Sequence, residues 1–324
     1  MEKTKQISDK IASFIESYHF DGTPAQLYEP VSYTIMQSGK RLRPMLCLLA
    51  CDLLGGNTEN ALYPALALET FHNFTLIHDD IMDNAPVRRG KPTVFKKWGS
   101  NQAILSGDAM FAKAIELALK SPVNPNEIAR LVTKVSCEVC EGQQFDLDFE
   151  TRNDVSVEEY LEMIRLKTAV LLATALDAGS VCANASAKER QLIYDFGINI
   201  GMAFQLQDDL LDCYGNQEVF GKAIGGDIIE NKKTYLYLKA LELAPDDDRT
   251  KLTNIFSGEK RLDNTNKIAE VKAIYDKIGI RQVTEKRIQE FYGCAHSLMD
   301  CIDRPKDSKN SLLTYVDTLL KREK

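Results

Sequence analysis

The stretch Leu76-Ile-His-Asp79-Asp80-Ile-Met-Asp83 places three aspartates in an otherwise apolar run, and the pattern returns in Leu206-Gln-Asp208-Asp209-Leu-Leu-Asp212. Aspartate is a poor helix former and is seldom buried, so a purely structural reason for both runs is hard to find. In a helix, the first and last aspartates of each run share one face, about 6 Å apart along the axis. Two such faces turned toward each other would form a cluster of up to six carboxylates.

A carboxylate cluster repels itself and raises its own pKa values unless cations occupy it. Mg²⁺ takes only one or two carboxylates, keeps several waters and completes its octahedron with substrate phosphate oxygens. The repeated motif therefore predicts magnesium and a phosphorylated ligand. A single copy is more typical of a solvated helix face or an N-terminal cap, and the second copy argues against that alternative.

The composition is that of an ordinary globular protein, with 44% hydrophobic and 27% charged residues. No linker or internal repeat marks a boundary, so we expect a single domain over residues 1–324. The net charge of −7 argues against nucleic acid as a partner. No apolar run approaches the roughly 18 residues of a membrane span. The first residues lack the apolar core of a signal peptide, and we expect a cytoplasmic protein.

Apolar residues recur at helical spacing along most of the chain, as at Ile7, Ile11 and Ile15, and strand signals are nearly absent. We expect an all-α fold of long helices around a central cavity. The eight cysteines fit reduced thiols. Cys137 and Cys140 match C-x-x-C, but no βαβ context or second pair supports redox or metal binding.

Basic residues that could bind diphosphate flank both acidic runs: Lys40, Arg41, Arg88, Arg89, Lys222 and Lys232. The segment Ser38 to Pro44 holds three cations in four positions after a glycine that permits close backbone approach. The bidentate fork of arginine suits phosphate oxygens. Arg88 and Arg89 are adjacent, so they point in different directions on most backbones and could serve two phosphates.

Two further helices carry polar residues in apolar surroundings. Ser156 and Glu159 form a capping-box pattern that starts a helix running to about Gly179. Lys167-Thr168 lies in its middle, where the lysine either extends to the surface or reaches into the cavity. The second acidic run follows Gln205 on a helix that begins near Tyr194.

The helix below Asp79 has a distinctive face. Thr75 and His72 lie four and seven residues before Asp79 and share its side, while Phe71 and Phe74 flank that side. Such aromatics are more typical of a core than of a pocket, and a lone histidine is more often a hydrogen-bonded core residue.

Taken in order, these motifs closely resemble the trans-isoprenyl diphosphate synthases, the polyprenyl synthetase family that includes farnesyl and geranylgeranyl diphosphate synthases. Each motif is weak alone, but the ordered set spans residues 38 to 235 and is very specific. The resemblance implies an isoprenoid synthase fold, usually a homodimer, with three Mg²⁺ ions held between the acidic motifs. It also implies isopentenyl diphosphate and an allylic diphosphate as substrates.

The resemblance assigns roles to individual residues. Metal ligands are Asp79, Asp83, Asp208 and Asp212. Residues expected to act in catalysis are Asp79, Asp80, Asp83, Arg88, Lys167, Asp208, Asp209 and Lys222. The allylic diphosphate is expected at Arg88, Lys167, Thr168, Gln205, Lys222 and Lys232. Isopentenyl diphosphate is expected at Lys40, Arg41, His72 and Arg89.

Product length is the finer question. In this family the growing tail runs down the helix below the first acidic motif, where bulky residues stop it. Phe71, Phe74 and Thr75 lie eight, five and four residues before Asp79, and one large plus one small residue resembles the geranylgeranyl synthases. A farnesyl product is the alternative.

Three other functions compete with this interpretation. A terpene cyclase shares the fold, but it generally lacks the second acidic motif and the site of Lys40 and Arg41. A His-Asp metal phosphohydrolase has only His78-Asp79 in its favour, because no other histidine is suitably spaced. A catalytically silent partner subunit tends to lose the acidic motifs, which are intact here.

Overall fold

A computed structural model describes residues 2–37, 39–215 and 224–320. Within them, the only strands are one short pair, which confirms the all-α fold class. None of the described helices combines the length and apolar character that crossing a membrane requires. Lys222 lies outside the described residues, and the cytoplasmic location stays a prediction.

The helices follow one another along the chain with short connections. The N-terminal half contains α1 (Glu2–Ser17), α2 (Ala25–Ile35), α3 (Leu42–Leu53), a 3₁₀ turn (Thr58–Ala61), α4 (Leu62–Met82), α5 (Val94–Trp98), α6 (Ser100–Leu119) and α7 (Pro125–Thr151). The remainder contains α8 (Val157–Ile164), a π turn (Arg165–Ala169), α9 (Val170–Cys182), α10 (Ala187–Tyr214), α11 (Gly226–Ile229), α12 (Tyr235–Leu243), α13 (Asp246–Phe256), α14 (Asn264–Ile278), α15 (Ile280–Asp300) and α16 (Lys306–Leu320).

The chain divides into two compact units. The first contains residues 1–137, 171–194 and 301–315, and the second contains residues 138–170, 195–300 and 316–324. The first acidic motif belongs to the first unit, and the second motif belongs to the second unit. A single domain over the whole chain and a cavity between the motifs stay predictions.

The first unit is built around α4, which is apolar on all sides in its N-terminal half and is buried there. Its start at Leu62 puts Pro64 in the first turn, where the missing N–H costs no helical hydrogen bond. Helix α6 packs along it. The fully buried side chains around these helices include Leu46, Leu66, Phe71 and Met110.

A β-hairpin follows α4. Strand β1 (Val87–Arg88) pairs antiparallel with β2 (Lys91–Pro92). The two turn residues, Arg89 and Gly90, have φ values of 52° and 73°. Positive φ at both positions is the requirement of a type I′ turn, which matches the twist of the strands. The turn therefore separates the side chain of Arg89 from that of Arg88 in the ladder.

The second unit contains a helix, α8, that passes into a π turn at its C-terminal end. Helix α8 starts at a capping box in which Ser156 and Glu159 bond to each other's backbone, as the sequence predicts. The π turn Arg165–Ala169 then interrupts the helix before α9, which the sequence analysis did not predict. Helix α10 also begins seven residues before the expected Tyr194.

Two glycines allow neighbouring helices to close on the π turn. A Cβ at Gly142 of α7 would lie 2.4 Å from the backbone nitrogen of Lys167, and one at Gly201 of α10 would lie 2.5 Å from Ala169 Cα. Both distances are shorter than atoms tolerate, so only glycine fits at either position. The close contact fixes Lys167 and Thr168 between α7 and α10.

Candidate active site

The first acidic motif occupies the C-terminal end of α4. Asp83 is the capping residue, and its N–H donates to Asp79 O over 2.8 Å. The carbonyl end of a helix is its negative pole, so carboxylates there are unfavourable unless a cation is near. Asp79 is half-buried and Asp83 is exposed. The two share a helix face, which is suited to holding a cation.

The middle aspartate of this motif is bound by the protein. Asp80 is 4% exposed, and Arg88 Nε of strand β1 donates to its Oδ1 over 2.6 Å. Burial raises the pKa of Asp80, while the Arg88 guanidinium opposes that rise. The pair joins the hairpin to α4, so Asp80 orients Arg88.

The two arginines at the start of α3, Arg41 and Arg43, have different surroundings. Arg41 NH1 donates to the buried carboxylate of Glu69 over 2.9 Å, and its NH2 donates to the carbonyls of Ile35 and Gln37. These internal bonds occupy the guanidinium that was expected to bind isopentenyl diphosphate. Arg41 thus holds the loop against α4.

Arg43 has the character expected of an anion ligand. Its Nε is buried and has no hydrogen-bond partner among the described residues. Burial lowers its pKa to about 10, Glu69 opposes this change, and Arg89 adds to it. A buried donor beside a second cation is stabilised by an anion.

His72 lies among these cations. Burial lowers its pKa well below the ordinary range, and the charges of Arg43, Arg89, Arg88 and Arg41 lower it further. The imidazole is therefore neutral at physiological pH, with one N–H to donate. The Arg89 guanidinium lies close to Gly39, because a Cβ there would be 3.2 Å from its Cζ. Lys40 is exposed, and its carbonyl accepts a 3.5 Å hydrogen bond from Tyr315.

The expected chain-length residues form an aromatic group below Asp79. Phe71 is fully buried, and Phe74 is half-buried with its ring centroid 5.6 Å from that of Phe71. Phe111 of α6, which the sequence analysis did not single out, lies 5.5 Å from Phe74. Thr75 Oγ1 donates to His72 O over 2.8 Å and is half-buried. The three rings are a bulky barrier at this level of α4.

The second acidic motif also occupies the last turns of a long helix, α10. Asp208 and Asp212 are half-buried and share a face. The N–H of Asp227, at the start of α11, donates to Asp212 Oδ2 over 3.0 Å. Lys232 is exposed, with Nζ 3.2 Å from Glu230. Burial opposes its charge, but Asp227 and Glu230 raise its pKa overall.

The middle aspartate of the second motif is bound by neutral donors. Tyr160 of α8 donates a short hydrogen bond to Asp209 Oδ2, and Gln205 Nε2 donates to Oδ1 over 3.0 Å. Burial raises the pKa of Asp209 to about 8, and the charge of Asp227 adds to the rise. The hydrogen bonds from Tyr160 and Gln205 oppose it.

The remaining expected ligands lie on the π turn. Lys167 Nζ bonds Asp146 Oδ2 of α7 over 2.6 Å and is half-buried, so its charge is held by a neighbouring helix. Thr168 Oγ1 donates to Gln205 Oε1 over 2.9 Å. The Thr168 hydroxyl proton is therefore used in a hydrogen bond within the protein. The Gln205 amide has two N–H groups, and since one donates to Asp209, the second can donate to a ligand.

The residues fit magnesium by their chemistry and position. The outer aspartates are hard oxygen donors at the negative ends of two helices. Among residues 2–37, 39–215 and 224–320, no three histidine, cysteine or acidic side chains form a ready metal cage. An ion that takes one or two carboxylates and completes its shell with water and diphosphate does not require one.

Several residues of the site escaped the sequence analysis. Tyr160, Asp146 and Phe111 lie in regular amphipathic runs, and nothing local distinguishes them from core or surface residues. Gly142 and Gly201 carried a usable signal, because a glycine inside a helical pattern is unfavourable and often marks close packing. Arg43 stood in the basic segment but was not separated from Arg41.

Comparisons with known proteins identify relatives along most of the chain. A sequence profile of the polyprenyl synthetase family matches residues 24–278. A short chain isoprenyl diphosphate synthase of Methanothermobacter thermautotrophicus is 36% identical over 326 residues, covering 100% of this chain and 98% of its own.

Solved structures are similar over nearly the whole chain. A geranylgeranyl pyrophosphate synthase has a TM-score of 0.93 at 43% identity and covers 99% of each chain. A polyprenyl synthase of Caulobacter crescentus, complexed with calcium and isoprenyl diphosphate, has a TM-score of 0.89 at 27% identity, covering 100% of this chain and 97% of its own. The chain therefore belongs to the polyprenyl synthetase family of prenyltransferases and has the isoprenoid synthase fold.

Proposed function

We propose that this protein is a Mg²⁺-dependent short-chain trans-prenyltransferase that condenses isopentenyl diphosphate head-to-tail with allylic diphosphates. Dimethylallyl, geranyl and farnesyl diphosphate serve as allylic substrates, and geranylgeranyl diphosphate is the product. One observation carries the proposal: two helices end in the same acidic motif, and each motif directs its middle aspartate into the protein and its outer aspartates to another face.

The allylic diphosphate binds at the acidic motifs. Asp79 and Asp83 of the first motif, and Asp208 and Asp212 of the second, would hold Mg²⁺, which would supply Lewis-acid stabilisation of the departing diphosphate. Arg88 and Lys167 are oriented by Asp80 and Asp146, and each places a cation beside one motif. Their charges stabilise the diphosphate as it leaves, which is where charge develops in the reaction. Gln205 and Lys232 add donors, as does Lys222.

Isopentenyl diphosphate binds at the basic group of the first unit. Lys40, Arg43, Arg89 and the neutral His72 supply the donors, while Arg41 holds the loop. The buried Nε of Arg43 supports this assignment, because a diphosphate oxygen would supply the acceptor that it lacks among the described residues. The double bond of this substrate attacks the allylic cation, and proton loss to the released diphosphate completes the new trans double bond.

Product length follows from the aromatic group on α4 and α6. Phe71, Phe74 and Phe111 close the space below Asp79, while Thr75 beside them is small. The similarity to a geranylgeranyl pyrophosphate synthase over nearly the full chain supports a C20 product. A C15 alcohol as the main product would instead assign a farnesyl synthase.

The decisive experiment incubates the purified protein with dimethylallyl diphosphate, labelled isopentenyl diphosphate and Mg²⁺. The products are dephosphorylated, and the alcohols are sized by chromatography. We expect a C20 alcohol whose formation stops with EDTA and resumes with added Mg²⁺. Hydrolysis or cyclisation without elongation would contradict the proposal.

We also propose that the protein forms a homodimer through α6. Ile104 and Leu105 are adjacent on this helix and are 42% and 56% exposed, and neighbouring exposed apolar side chains are typical of a protein–protein contact surface. Light scattering after gel filtration should give twice the mass of the chain, and Leu105→Glu should give monomers. A monomeric wild type would contradict this proposal.

A further inference from the structure

Tyr160 lies at the start of a hydrogen-bonded chain in the second unit. Its ring is 4% exposed in the core formed by α8, α10 and α12, and its hydroxyl donates to Asp209 Oδ2. Asp209 Oδ1 accepts from Gln205 Nε2 over 3.0 Å. Gln205 Oε1 accepts from Thr168 Oγ1 over 2.9 Å. Three consecutive hydrogen bonds thus connect Tyr160 to Thr168 through Asp209 and Gln205.

The hydrogen bonds of this chain run in one direction. Each oxygen of Asp209 accepts one of them, Oδ2 from the Tyr160 hydroxyl and Oδ1 from the Gln205 amide. Tyr160 supplies one donor, and the amide of Gln205 must turn its nitrogen toward Asp209 to supply the other. That orientation leaves the Gln205 oxygen facing Thr168 and sets the direction of the Thr168 hydroxyl.

The π turn brings the two ends of this chain onto one side. Tyr160 and Thr168 are eight residues apart, and on a straight α-helix they would point about 80° apart. A π turn inserts about one residue, which reduces the angle to roughly 20°. Both side chains therefore reach α10, where Gln205 and Asp209 are one turn apart.

We infer that Tyr160 is a positioning residue for the allylic diphosphate site. It fixes Asp209, and through Asp209 it fixes Gln205 and the rotation of α10 that directs Asp208 and Asp212. The hydroxyl of Tyr160 donates to Asp209, so Tyr160 acts on the site through that side chain. This inference rests on the proposed function and adds a residue to it.

The test compares Tyr160→Phe with Tyr237→Phe. Tyr237 is buried in the same unit and stacks on Phe256 with ring centroids 3.9 Å apart. Tyr237→Phe therefore controls for the loss of a buried tyrosine hydroxyl. Tyr160→Phe should lower kcat by about tenfold to a hundredfold, the effect of removing a residue that orients a ligand. The KM for isopentenyl diphosphate and the melting temperature should match those of Tyr237→Phe.

Binding supplies a readout that does not need turnover. An unreactive thio analogue of dimethylallyl diphosphate is titrated calorimetrically into each variant with Mg²⁺. We expect about a tenfold weaker Kd for Tyr160→Phe only. If the wild type does not elongate substrates, the proposed function fails, while the analogue titration still decides the role of Tyr160.

A double variant tests the connection. Because Tyr160 and Thr168 act through one chain, Tyr160→Phe with Thr168→Val should bind the analogue no more weakly than Thr168→Val alone. Additive losses would overturn the inference, as would an unchanged kcat and Kd in Tyr160→Phe. If Tyr160→Phe fails to fold while Tyr237→Phe folds, the residue is structural and the inference is wrong.

Discussion

The two acidic motifs have the same spacing and the same place in their helices, but the protein treats their middle aspartates differently. Asp80 pairs with Arg88, whose side chain is 31% exposed. Asp209 is bound by the hydroxyl of Tyr160 and the amide of Gln205, both neutral. The first motif is thus coupled to a cation near the surface, and the second to a buried neutral network.

This difference shows that equal motifs need not have equal roles residue by residue. In both copies the outer aspartates share one helix face, and the middle aspartate, about 100° around the helix, is bound inward. One middle aspartate pairs with a partly exposed cation, while the other accepts hydrogen bonds from two neutral donors.

The outer aspartates should be equivalent in the two motifs. Asp79→Ala and Asp208→Ala should each reduce turnover by about 10³-fold or more, because each removes charge stabilisation at the leaving diphosphate. Circular dichroism and melting temperature should stay near wild type, since neither residue is a core contact. Steady-state elongation assays across a range of Mg²⁺ concentrations measure the loss. Substantial activity in either variant would mean that its motif does not bind the metal.

The middle aspartates should differ in stability. Asp209→Asn should lower the free energy of unfolding by about 1–3 kcal/mol, because an amide offers one acceptor oxygen where two buried donors require one each. Asp80→Asn should cost less, about 1 kcal/mol or below, because Arg88 can turn toward water. Urea unfolding measures both, with the exposed Asp83→Asn as control. Equal losses would remove the distinction between the motifs.

The surroundings of the first motif should also respond to acid. The pKa of His72 in the folded protein lies well below its unfolded value of about 6.5. Below about pH 6.5 the unfolded chain therefore binds a proton at His72 that the folded protein does not bind. The free energy of unfolding should therefore fall by at most about 1.4 kcal/mol per pH unit below about pH 6.5. His72→Gln should reduce this slope, measured without diphosphate. The exposed His19→Gln serves as control, and identical slopes in all three proteins would contradict the prediction.

The aromatic group of Phe71, Phe74 and Phe111 lies below the first motif, and changes in it should alter the chain length of the product more than the rate of turnover. Phe74→Ala should lengthen the main product because it opens the barrier that Phe71 and Phe111 complete. Total turnover should stay within about threefold of wild type, because Phe74 supplies none of the charges that stabilise the leaving diphosphate. Chromatography of the alcohols measures this, with the exposed Phe145→Ala as control. An unchanged product distribution would remove Phe74 from the chain-length barrier.

Local patterns in the sequence predicted much of this protein. The helical spacing and the Ser156 capping box depend only on near neighbours, and both are observed. The start of α10 was placed too late, because the polar stretch after Ala187 carries little apolar periodicity. The π turn was missed because it depends on close contact with Gly142 and Gly201 rather than on its own residues.

By itself, the sequence determined an all-α member of the polyprenyl synthetase family with two acidic motifs and flanking cations, because these features are local in residue type and spacing. Only the tertiary structure decided which aspartate of each motif is bound within the protein, that Arg41 pairs with Glu69 while Arg43 presents a buried donor, and that Tyr160 donates to Asp209. Those decisions depend on partners 28 to 49 residues away, as in Arg41 with Glu69 and Tyr160 with Asp209. No local pattern contains such partners, because folding alone brings them together.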